Sequence, residues 1–151
     1  MADYKLALEE GFSAAKKAEI ARNEVEQVLT KLKDDLLAAS DGKLLVEIRQ
    51  FEEIRGTPQY YPGATLSAML AKSSRPKLYY SALAATNPKS TKPVVKELAR
   101  WKQDEDGYPC ALIWGKTERQ FEDREALEEG LAELLKDPGV GEKLFVLTKL
   151  N

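Results

Sequence analysis

"VVKELARWKQDEDGYPCALIWG", residues 94–115, decides the fold. Two arms rich in apolar and aromatic residues flank "DEDG", and Asp106-Gly107 supplies a tight reversal because glycine accepts a positive φ. The segment reads as an antiparallel hairpin with Trp101 and Trp114 in its core. A helix beginning at Pro93 is the rival reading for the first arm. A hairpin at this position commits the chain to an antiparallel sheet.

Downstream, "KTE" turns the chain into a short strand, "RQFED". Asp123 then caps a helix over 124–137, with Ala126, Leu127, Leu131, Leu134 and Leu135 on one face. "DPGVG" ends that helix, and "EKLFVLTKL" (142–150) predicts a closing strand. Upstream, "PKLYYSALAA" (76–85) alternates Leu78, Tyr80 and Ala82 against Tyr79, Ser81 and Leu83, as a strand does. The alternation puts Tyr80 with the core and leaves Tyr79 as the exposed ring. "KLLVEIRQF" (43–51) also fits a helix, but the preceding Asp-Gly and its Val and Ile content favour a strand. "GTPQYYPG" (56–63) and "TNPKSTKP" (86–93) read as loops, and "ATLSAMLAKSS" as a short helix.

Residues 3–39 predict one long helix. Proline is absent, and Ala18, Ala21, Val25, Val28 and Leu32 recur at alternating steps of three and four. Leu29 and Leu36 widen this stripe, and Leu8, Phe12 and Ala15 extend it backward past Gly11. Ser40-Asp41-Gly42 is a stop signal. Such a helix would span roughly 55 Å, whereas a compact domain of this chain length is about 38 Å across. Either the helix breaks, with Gly11 the place, or its free part packs on another chain. The seam Ala18, Ala21, Val25, Val28 and Leu32 is therefore the expected self-association element. The fold class is α+β: a long N-terminal helix (1–42) followed by a domain (43–151) with a small antiparallel sheet and a helix packed on one face.

Composition removes most chemistry. The 151 residues include no histidine and a single cysteine, which excludes His-activated nucleophiles, His-containing metal sites, structural zinc and an intramolecular disulfide. One cysteine and an opening "MADYKLALEEGF" without a basic start and apolar run point to a reducing cytoplasm, and no apolar run suggests membrane insertion. Gly115-Lys116-Thr117 lacks the earlier glycine of a phosphate loop, since position 110 is Cys. Asp104-Glu105-Asp106-Gly107 lacks the acid at 102 that a calcium loop of that pattern would need, and reads as a solvated turn. Glu118, Glu122 and Asp123 would be catalytic only if a cleft gathered them. Cys110, inside a strand, reads as a core thiol. No catalytic residue and no cofactor or metal is assigned.

Charge is segregated. Residues 56–102 carry 8 basic and 1 acidic side chains, between flanks in which acids exceed bases. Lys72, Arg75, Lys77, Lys89 and Lys92, with Tyr79 as a stacking ring, form a candidate nucleic-acid surface if they converge. The same segment could instead dock on the chain's own acidic flanks. The functional expectation is a non-catalytic binding protein (adaptor, inhibitor or assembly factor) that is a homo-oligomer and meets an unidentified protein partner. Nucleic-acid binding through 72–92 is the second reading.

Overall fold

A computed structural model describes residues 1–53 and 78–151. Helix α1 (Tyr4–Ala39) leads into strands β1 (Leu45–Glu52), β2 (Tyr79–Thr86), β3 (Val95–Gln103), β4 (Cys110–Trp114) and β5 (Thr117–Phe121), followed by helices α2 (Arg124–Lys136) and α3 (Pro138–Thr148). The strands form one sheet in chain order with every neighbouring pair antiparallel. The architecture is α+β, as the hairpin and its neighbours indicate. The expected loop at 56–63 and the expected helix after it lie outside the described residues.

Helix α1 does not break at Gly11 but runs unbroken for 36 residues. Its ends carry the chemistry that helix termini require. The Asp3 carboxylate accepts from the Leu6 N–H at 3.1 Å. At the other end Asp41 (φ 55) and Gly42 (φ 79) turn left-handed, and the Gly42 N–H closes on Leu37 O at 2.7 Å.

The decisive hairpin forms with Trp101 paired to Leu112 and Gln103 to Cys110. Between Leu83 and Ala84 the register with β3 shifts, so that Leu98 is an extra residue beside Ala99. Both are buried, as expected of a bulge that turns two neighbours toward one side. Val46, Leu83, Ala85, Ala99, Trp101, Leu112, Trp114 and Phe121 share the inner face. Val25 and Val28 of α1, Leu127, Leu131 and Leu134 of α2, and Val140, Leu144 and Leu147 of α3 cover it. Three helices, not one, pack on this face.

Two readings are corrected here. The expected strand at 142–150 is the helix α3. The Asp137 carboxylate accepts from the Val140 N–H at 3.1 Å and Pro138 occupies the first turn, so "DPG" ends α2 and starts another helix. Val140, Leu144 and Leu147 then fall on one buried face, while Phe145 and Val146, which broke the helical pattern, stay exposed. The second correction concerns β2. Tyr79 is 59% exposed at the start of the strand although it has the parity of Leu83 and Ala85, and Tyr80 and Ala82 are not on the main core face. They point to the side of the sheet opposite α1, α2 and α3, where Tyr80 stacks on Phe51 at 5.8 Å and lies under the Arg100 guanidinium at 4.1 Å.

Gly107 joins sheet to helix. Its N–H closes the turn on Asp104 O at 2.9 Å, its φ is 96°, and a Cβ there would stand 2.7 Å from the Ala21 Cβ. The Arg22 guanidinium donates to Glu105 O at 2.7 Å and the Tyr108 hydroxyl to Glu24 at 3.0 Å. Helix α1 is thus clamped to the sheet at Ala21–Glu24. N-terminal to Ala18 every residue of it is exposed.

Candidate interaction site

The clamp divides α1 into two parts with different surroundings. From Ala18 onward its apolar seam faces the chain's own sheet: Ala18, Val25 and Val28 are buried, Ala21 and Leu32 half-buried. The residues expected to mediate self-association are thus taken up within the molecule, with Ala21 against Gly107. Nearer the N-terminus a second apolar stripe lies on another side of the helix, the side of Arg22, Glu26 and Leu29. Tyr4, Leu8 and Phe12 are 82%, 56% and 65% exposed, and Ala15 follows them. Steps of four, four and three put these four on one side of the helix. Lys5, Glu9 and Lys16 border them on one side, and Glu10 and Lys17 lie on the opposite side of the helix. Tyr4–Lys17 extends about 20 Å along the axis, and every residue in it is exposed.

Beside the docked half of α1 lies an open groove of about 540 Å³, between the helix and the edge strand β1. Its floor is apolar: Val25 and Val46 are fully buried, Trp101 is buried, and Leu29 and Ile48 are half-buried. Its rim is polar and of both signs. Arg22 and Glu26 stand near one end, and Lys33 and Glu47 at the other are 4.0 Å apart. The groove depends on α1 packing over β1, so only the folded chain assembles it.

The basic set does not assemble among the described residues. Lys72, Arg75 and Lys77 lie outside them. Tyr79 begins β2, whereas Lys89 and Lys92 are exposed in the loop beyond its far end. Seven extended residue steps separate Tyr79 from Thr86, about 23 Å. Lys89 stands beside the turn that ends α1, near Gly42. Buried Asn87 anchors that loop, donating to Leu147 O at 2.8 Å and accepting from the Lys89 N–H at 3.0 Å.

The carboxylates are likewise dispersed. Glu118, Glu122 and Asp123 are all exposed, and Asp123 is occupied in capping α2 through the Ala126 N–H at 2.8 Å. Among the described residues no group of three or more Cys, Asp or Glu side chains is placed to hold a metal ion, and no helix is long and apolar enough to cross a membrane. Cys110 is buried in β4, where desolvation pushes its thiol up to about 11, the opposite of what a nucleophile needs. Burial, reinforced by the hydrogen bond to Glu24, likewise raises the Tyr108 hydroxyl. No family model, curated protein or solved structure matches the chain.

Sequence reasoning found Leu8, Phe12 and Ala15 as an extension of the seam but missed Tyr4, whose spacing four residues before Leu8 was the available signal. The groove left no signal of its own. Its walls come from α1, β1 and β3, and periodicity within one segment does not report which segments meet.

Proposed function

We infer that this protein is a non-catalytic binding module that associates with a second copy of itself through the N-terminal part of α1. The observation that carries the reading is the exposure of Tyr4, Leu8 and Phe12 on one side of a helix that continues past its own sheet. Exposed large apolar side chains gathered in this way mark an interaction surface. The dispersed carboxylates and the deactivated thiol add no competing chemistry. Adaptor, inhibitor and assembly roles all use such a module, with the self-associated form presenting two copies of the sheet to another macromolecule.

Sedimentation equilibrium up to about 0.5 mM, a range suited to a weak dimer, tests it on the full chain. The wild type is expected to gain mass with concentration. Leu8→Lys with Phe12→Lys is expected to stay monomeric with an unchanged melting temperature, because neither side chain contributes to the core. A wild type that remains monomeric throughout overturns the reading.

A further inference from the structure

Among the described residues the molecule carries an exposed apolar helix stripe and an open, partly apolar groove. We propose that they fit each other between copies: the Tyr4–Lys17 segment of one chain lies antiparallel to α1 in the α1–β1 groove of a second, which returns its own segment. The proposal rests on the self-association reading and specifies how the two chains meet.

Three observations support this occupant. The first is length. Tyr4 to Ala15 and Ala18 to Leu29 are both eleven residue steps, about 17 Å, so a two-fold axis near residues 16 and 17 sets the two halves side by side. The second is side-chain volume. In that register Tyr4 comes level with Leu29, Leu8 with Val25, Gly11 with Arg22 and Ala15 with Ala18, large residues at the groove end and small ones at the axis. Gly11 has open space around it, so its absent side chain leaves room for the Arg22 stem. The third is charge. Lys5, at the edge of the stripe, falls toward Glu26. Arg22, Glu26 and Lys33 are rim residues of the groove. The exchange is isologous and therefore closes as a dimer.

Disulfide trapping discriminates this arrangement from helix tips that merely touch. Two variants of the full chain are mixed, both with Cys110→Ala, one carrying Tyr4→Cys and the other Leu29→Cys. On mild oxidation the mixed 4–29 disulfide is expected to exceed both same-position disulfides at least five-fold. Separately, Ile48→Lys places a charge on the groove wall and is expected to weaken self-association at least ten-fold with the circular dichroism unchanged. Leu6→Lys, off the stripe, is expected to leave it as it is. A dimer that traps mainly as 4–4, or that tolerates Ile48→Lys, overturns the groove arrangement and leaves self-association standing. A chain that is monomeric in sedimentation overturns both.

Discussion

Replacing Gly107 by alanine tests the clamp that holds α1 to the sheet. Two costs add. An L-residue at a φ of 96° carries backbone strain of about 1–2 kcal/mol. The new methyl would also stand 2.7 Å from the Ala21 Cβ and 2.8 Å from the Ala21 carbonyl carbon and the Arg22 nitrogen. Overpacking of this kind costs about 1–3 kcal/mol. The contact cannot be relieved by a rotamer change, since two of the three neighbours are helix backbone. The expected loss is about 3 kcal/mol, read in urea unfolding as a lower midpoint at unchanged slope. At this chain length it corresponds to a fall in melting temperature of roughly 6–12 °C. Adding Ala21→Gly removes one of the three contacts but keeps the backbone ones and the strain, and a helical glycine itself costs about 1 kcal/mol. The double variant should therefore recover little. A loss under about 1 kcal/mol for Gly107→Ala, or full recovery in the double variant, would refute the claim that this turn rests directly on the helix backbone.

Two further outcomes follow from buried groups. Gly130 of α2 sits against the Phe121 ring, which a Cβ would enter. Gly130→Ala should lower stability although alanine favours helix by up to about 1 kcal/mol, because moving a buried ring costs more, about 1–3 kcal/mol. Phe121→Leu in the same chain should recover part of the loss, and a more stable single variant would contradict the packing. Cys110 gives a pH dependence of defined sign. Its folded pKa of about 11 lies above the ordinary 9.0, so the protonated thiol stabilises the fold fully below about pH 9. That contribution fades as pH rises through 11, by up to about 3 kcal/mol. Urea titrations at pH 8 and 10.5 should show a smaller loss for Cys110→Ala than for the wild type, which Tyr108 also weakens in the same direction. At pH 8 a thiol reagent should leave the native protein unlabelled and label the unfolded chain, and equal slopes or prompt native labelling would exclude a buried thiol.

The sheet was legible because local chemistry and tertiary context agree there. Asp106-Gly107 between two apolar arms gives the turn, and the Trp101 and Trp114 side chains fall on the buried side as the hairpin requires. The C-terminal segment was not, because "LFVL" satisfies both periods. Its state is decided two turns earlier by Asp137-Pro138, where a helix stop and a helix start share the same residues. Tyr80 was misassigned for a different reason. Alternation separates two faces but does not say which face α1, α2 and α3 cover, and Tyr80 made its contacts on the opposite one, with Phe51, Glu97 and Arg100. The length of α1 was legible and pointed to a free part, while the seam that looked most suited to another chain was consumed by the sheet. Spacing finds an apolar stripe, and only the packed fold tells which stretch of it is left over.

That remainder would set the strength of the proposed association. A helix as short as Tyr4–Lys17 is marginal in isolation, and here it propagates from the docked half under the Asp3 cap. Since none of its side chains is buried, its apolar groups add nothing to the monomer and their burial is available to a second copy. Tyr4, Leu8 and Phe12 from two chains make six side chains, worth about 2 kcal/mol each and ~12 in all. Against this stands the loss of translational and rotational freedom, at least about 4 kcal/mol. The difference of about 8 kcal/mol corresponds to a dissociation constant no tighter than about a micromolar. A dimer of this strength would be monomeric when dilute and paired when concentrated. Local concentration would then decide which form is present.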